Sequence, residues 1–100
     1  MRIFWTKHAL EKMRFYNLSG NRIKRVLRNP NRKEEGIASN TLAIMQRTGT
    51  KKHPTEIWLM FKNVDNKIKI ISAWRYPGIS PKGKEIPIPR DILEELGNII

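Results

Sequence analysis

Apolar residues recur at two different periods along the chain, and the change from one to the other outlines the fold. Residues 2–6 (Arg-Ile-Phe-Trp-Thr) read as a short strand, with Thr6 placed to cap a helix just beyond it. Ala9, Leu10, Met13 and Tyr16 then fall at helical spacing and predict a helix over 7–17. Leu18-Ser19-Gly20 reads as a turn, with Ser19 as the next N-cap. A second helix is expected over 20–28, with Ile23, Val26 and Leu27 inward and Arg22, Lys24, Arg25 and Arg28 outward. Asn29-Pro30-Asn31 ends it, because proline pushes its predecessor towards extended geometry. The two helices are expected to form a tight αα-hairpin.

From there to residue 76 the pattern is strand-like. Lys33–Ala38 and Thr41–Arg47 flank Ser39-Asn40, which suits a two-residue turn. A basic loop occupies 48–54, then come strands over Glu56–Lys62 and Lys67–Tyr76 around a turn at Asp65-Asn66. With Asp65-Asn66 as the turn, Lys62 lies opposite Lys69, Phe61 opposite Ile70, Leu59 opposite Ser72, Trp58 opposite Ala73, Ile57 opposite Trp74 and Glu56 opposite Arg75. One face then holds Ile57, Leu59, Phe61, Ile70, Ser72 and Trp74 and should receive the helices. The other holds Glu56, Trp58, Met60, Lys62, Lys69, Ile71, Ala73 and Arg75 and is expected to stay partly open, unless the C-terminal arm folds over it. That arm spans 77–90 with four prolines (Pro77, Pro81, Pro87, Pro89) and is expected to be extended rather than part of the core. A short closing helix is predicted over 90–97, with Asp91 near its start and Gly97 near its end. The expected fold is α+β: strand, αα-hairpin, then an antiparallel meander with helices on one face. Residues 1–76 form its body, and 77–100 are an arm and helix of the same domain.

Charge adds what the pattern lacks. Twenty Lys/Arg against nine Asp/Glu give a net +11. Residues 1–33 carry ten of the basic residues and a single acid, Glu11, whereas 77–100 are near neutral. A concentrated positive field attracts a polyanion, nucleic acid above all, although an acidic protein or an anionic membrane satisfies the same physics. The absence of cysteine removes disulfide, Cys-zinc and thiol chemistry. No apolar run approaches the roughly 20 residues that span a bilayer. Charge also interrupts Met1–His8 too early for a signal peptide, so a cytoplasmic location is expected.

The stretch Thr6-Lys7-His8-Ala9-Leu10-Glu11-Lys12-Met13, together with Leu18-Ser19 and then Ile23, Val26, Leu27, Asn29 and Pro30, resembles a small branch of the RelE/ParE-like toxin superfamily whose first helix opens with His-Ala. The resemblance covers about residues 2–76 and, in the strands, is one of pattern only. It implies a sheet packed by helices on one face and a concave open surface for RNA. It also implies metal-independent endoribonuclease activity, usually on messenger RNA at the ribosome, and restraint by a small acidic antitoxin protein. Relatives on the same fold act on DNA gyrase or have no known activity, so a non-catalytic nucleic-acid-binding module, or an interaction domain for an acidic partner, stays open.

Metal-free RNA cleavage needs a base, an acid and cations for the crowded phosphate charge. No cofactor is expected, and two histidines without clustered carboxylates offer no obvious metal site. His8, with Lys12 one helical turn on, is the candidate base; a framework role locking the strand-to-helix turn fits it equally. Arg75 and Tyr76 end the last long strand, where the resemblance implies basic and aromatic catalytic groups; the alternative is a Glu56–Arg75 ion pair and a packed Tyr76. Candidate nucleic-acid contacts are Arg22 and Arg25 on the second helix, Arg47, the loop residues Lys51, Lys52 and His53, the facing lysines Lys62 and Lys69, and Trp58 as a stacking platform. For most of these a solvated surface is the simpler role.

Overall fold

The computed structural model describes residues 2–99, with side chains described to residue 96. It is α+β: a five-stranded mixed sheet with three helices. Strand β1 (Arg2–Trp5) leads through Thr6 into α1 (Lys7–Phe15), and Ser19 opens α2 (Gly20–Arg28). Strands β2 (Arg32–Glu35), β3 (Leu42–Gly49), β4 (Pro54–Val64) and β5 (Lys67–Pro77) come next, and α3 (Arg90–Ile99) closes the chain. Both expected caps form. Thr6 Oγ1 accepts from the Ala9 N–H and Ser19 Oγ from the Arg22 N–H, each at 3.0 Å, satisfying amides the helix itself leaves unpaired.

Strand order is β1-β5-β4-β3-β2. Strands β2 to β5 form an antiparallel meander, and β1 adds in parallel to the outer side of β5. β1 covers only Lys67–Ile70, so the rest of β5 is left for α1, which turns onto it at Thr6. The second helix lies against β3 and β4. The four-residue connection 16–19 joins α1 and α2, and both helices contribute to one apolar cluster on the sheet. The β2–β3 connection is longer than two residues. Gly36 donates to Thr41 at 2.9 Å, and Asn40 takes a left-handed φ of 62° inside the loop.

Two apolar layers sandwich the sheet, and here the structure departs from the expected arrangement. On one side Ala9, Met13, Leu18, Ile23 and Val26 pack onto Ile44, Ile57, Leu59, Phe61, Ile70 and Ala73. On the other, Ile92 and Leu96 of α3, with Ile86 and Ile88 of the arm, pack onto Ala43, Met45, Trp58, Met60, Ile71 and Trp74. Helices therefore occupy both faces, and no open face remains around Trp58. The cause is visible in the sequence of β4 and β5, which carries too many large apolar side chains for a one-sided sheet. Leaving Trp58, Met60 and Trp74 in water would forfeit about 1.5–3 kcal/mol for each side chain. The arm is correspondingly part of the core rather than separate from it. The Glu56 carboxylate accepts from the Ser80 N–H at 3.0 Å and Arg32 donates to the Ser80 hydroxyl at 2.8 Å, both buried.

The β4–β5 register matches the sequence reading only near the turn. Lys62 pairs with Lys69 and Phe61 with Ile70, but a bulge then intervenes, and Met60 pairs with Ser72, Leu59 with Ala73, Trp58 with Trp74 and Ile57 with Arg75. One extra residue on β5 reverses every face beyond it. Trp74 moves from the α1/α2 side to the α3 side, and Ala73 and Arg75 move the opposite way.

Candidate functional site

The structure gathers polar chemistry at two places, one at each end of α1. At its N-terminal end His8 is buried between β5 and α3. Its Nδ1 lies 3.0 Å from Glu95 Oε2, and its Nε2 lies 3.0 Å from Ser72 Oγ. A carboxylate only accepts, so Nδ1 carries the proton and Nε2 accepts from the serine hydroxyl. Burial lowers the His8 pKa; Glu95 opposes that shift and Lys12 adds to it. The imidazole is therefore neutral at pH 7 with both nitrogens occupied. One turn on, Lys12 donates to Asp91 Oδ2 at 2.7 Å and to Glu95 Oε1 at 2.9 Å, and the Tyr16 hydroxyl reaches Asp91 Oδ1 at 3.3 Å. Burial works against the Lys12 charge, but the two carboxylates outweigh it and its pKa rises. His8 and Glu95 of this network also line an open cleft, with Phe4, Lys7, Glu11, Lys69 and Ile71.

The second place lies at the far end of α1. Its side chains come from α2 and from the last residues of β3 and β5. The register aligns Gln46, Ile57 and Arg75 in one row across β3, β4 and β5, on the α1/α2 side. Arg75 donates from Nε to the Tyr16 carbonyl at 2.9 Å and from Nη2 to the Asn17 carbonyl at 3.2 Å, tying off the C-terminal end of α1. Arg22 reaches across from α2 to the Gln46 side-chain carbonyl. Burial, then the neighbouring charges of Arg25 and Arg75, lower the Arg22 pKa. Three guanidinium groups thus share one ledge, and no salt bridge joins any of them to a carboxylate among the described residues.

This geometry separates the residues that the sequence singled out. His8 and Lys12 come together in one mostly buried network whose His8 and Glu95 reach the cleft. Arg75 and Tyr76 lie at the other end of α1, eight residues or about 12 Å of helix from His8, so the four do not form one centre. The Glu56–Arg75 pair does not form. Glu56 faces the α3 side, where it accepts from Trp58 Nε1 at 2.9 Å, while Arg75 faces α1. Tyr76 packs against the α3-side core. Trp58 is fully buried, stacked on Trp74 and covered by Arg32 at 5.3 Å from its ring centre, so a base cannot reach it. Lys62 and Lys69 face each other, half-buried. Arg25, Arg47, Lys51, Lys52 and His53 are exposed. Ser72, Asp91, Glu95 and Tyr16 were not legible as partners of His8 and Lys12. The α3 carboxylates lie 79 and 83 residues along the chain from Lys12, and only the helical spacing of Asp91 and Glu95 could have suggested that they share a face.

Among the described residues no group of three or more His, Cys, Asp or Glu is placed to hold a metal ion, and no helix is long and apolar enough to cross a membrane. No family model, curated protein or solved structure matches the chain.

Proposed function

We propose that the chain is a nucleic-acid-binding module of RelE/ParE-like build, holding a sugar–phosphate backbone on the cationic ledge of α2 and the end of β5. The observation that carries this reading is the grouping of Arg22, Arg25 and Arg75, none of which forms a salt bridge to a carboxylate among the described residues. Like charges held this close repel, and a bound phosphate turns that cost into a gain. Exposed Lys24 and Arg28 extend the same helix face, whereas Arg47, paired with Glu56, lies on the α3 side of β3. RNA is the preferred ligand within this reading, as the superfamily resemblance implies.

Support for catalysis is weaker. A general base needs a free lone pair within reach of the 2′-hydroxyl. The Nε2 lone pair of His8 is engaged by Ser72, and Lys12 is held by two carboxylates. Binding without cleavage is accordingly the reading we adopt over the toxin-like ribonuclease.

The test is anisotropy of a labelled single-stranded RNA across 50–200 mM salt, with the RNA run on a gel afterwards. Affinity falls steeply with salt, and Arg25→Ala weakens it while reducing the log–log slope by about 1. Affinity insensitive to both salt and Arg25 would overturn the proposal. EDTA-resistant cleavage abolished by His8→Ala would restore the ribonuclease.

A further inference from the structure

We propose that the outer edge of β2, with the cleft beside it, is a docking groove for an extended lysine- or arginine-bearing segment of a partner protein, which adds to the sheet as a sixth strand. Three independent features converge there. First, β2 ends the sheet and among the described residues pairs with β3 alone, so alternate backbone N–H and C=O groups of Arg32–Glu35 point away from the sheet. Second, an open cleft of about 750 Å³ runs alongside, between β2 and the chain leading into α3. Its walls include Ile37, Ile86 and Leu93, and Ile37 and Leu93 are 52% and 49% exposed. Third, the cleft inverts the charge of the molecule. Glu34, Glu35 and Glu85 line it against one cation, Lys84, in a chain of net +11.

The charge pattern selects the occupant. Glu34 is partly neutralised by Arg32 at 3.3 Å, whereas Glu35 and Glu85 form no salt bridge among the described residues. Nucleic acid is repelled from such a groove. A strand directs alternate side chains to opposite faces, so alternating cationic and β-branched residues would place charge against the carboxylates and apolar groups against Ile37, Ile86 and Leu93. Main-chain pairing to β2 would supply the remaining affinity. The opposite edge, β1, carries Arg2 and lies beside Lys67 and Lys69, so it does not suit the same partner.

The groove is distinct from the arginine ledge, so its failure leaves the nucleic-acid reading untouched. The full chain, labelled with ¹⁵N, is titrated with a capped peptide of alternating Lys and Val. Parallel titrations use the same peptide N-methylated at alternate residues and a peptide with Glu in place of Lys. Saturable amide shifts confined to residues 32–37, Glu85, Ile86 and Ile88 are expected for the Lys peptide. The double variant Glu35→Lys/Glu85→Lys and the N-methylated peptide each weaken binding by about tenfold or more, while Arg25→Ala does not. Both substituted glutamates are exposed, so the variant keeps its fold, which thermal melting verifies. Shifts elsewhere, or binding indifferent to the charge reversal, would overturn the proposal. Concentration-dependent shifts in the same amides without peptide would also overturn it, by assigning the groove to a second copy of this chain.

Discussion

Ser72 Oγ stands 3.0 Å from His8 Nε2 because β5 bulges just before it. Ile70 belongs to the α1/α2 core and Ile71 to the α3-side core, and Ser72 pairs with Met60 on that same α3 side. Without the extra residue Ser72 would face Leu59 and the α1/α2 core, and the imidazole would lose its partner. The bulge thereby converts a strand hydroxyl into the anchor that holds the start of α1 against the sheet, while Glu95 holds the same ring to α3.

This arrangement makes stability sensitive to pH in a direction set by His8. Its folded-state pKa lies below the ordinary value of 6.5, chiefly through burial, despite Glu95, Glu11 and Asp91 nearby. The unfolded chain therefore binds more protons in that region, and stability falls as pH drops below about 6.5. Chemical denaturation between pH 7.5 and 5 measures it. His8→Gln flattens the dependence, and an unchanged slope in that variant would assign the effect elsewhere. Ser72→Ala leaves Nε2 without its donor and lowers stability by about 1–3 kcal/mol at pH 7.

Lys12 is the joint between α1 and α3, and its removal uncovers two carboxylates at once. Lys12→Met destabilises by about 1–3 kcal/mol, near the lower end because Asp91 and Glu95 remain partly in water. Asp91 is held below its ordinary pKa: burial opposes the shift, but Lys12 and Tyr16 overcome it. Its contribution is present above pH 4 and is lost as pH falls further. A double-mutant cycle with Asp91→Asn gives a favourable coupling energy of about 0.5 kcal/mol or more. Additivity within error would mean the pair is ornamental and that apolar packing of Ile92 and Leu96 alone holds α3.

Much of the fold was legible because local chemistry decides it. Thr6 and Ser19 cap helices at the positions their side chains require, and Ile23 and Val26 bury at helical spacing. The Asp65-Asn66 turn also announces itself, with both residues at positive φ as a two-residue hairpin turn demands. The bulge did not announce itself. Ile70-Ile71-Ser72-Ala73-Trp74 alternates acceptably in either register, since Ala73 and Trp74 are both apolar and Ser72 tolerates either side. That single ambiguity moved Trp74 and Arg75 to opposite faces, and with them the candidate site. Placement of α3 was hidden for a different reason. Its carboxylates find Lys12 across about 80 residues of sequence, and such pairing depends on where the arm carries the helix rather than on any local preference.

Trp58 and Trp74 offer a comparison in which size and burial are matched, while the indole N–H partner and the cation over the ring differ. Both are fully buried, they pair across β4 and β5, and their rings stack at 6.1 Å with planes 5° apart. Trp58 Nε1 donates to the Glu56 carboxylate at 2.9 Å, and Arg32 covers its face. Trp74 Nε1 is buried without a protein partner among the described residues. Substitution by Phe removes similar apolar area in the two cases. At Trp58 it also strips a donor from a buried carboxylate, a loss of about 1.5–3 kcal/mol for a bond to a charged group, and weakens the cation–π contact. At Trp74 it deletes an unsatisfied donor, which offsets part of the cavity cost. Trp58→Phe should therefore be the more damaging change by about 1–3 kcal/mol in denaturant unfolding, and Glu56→Gln in the Trp58→Phe background should cost less than Glu56→Gln alone. Equal losses at the two tryptophans would show that packing alone sets their contribution.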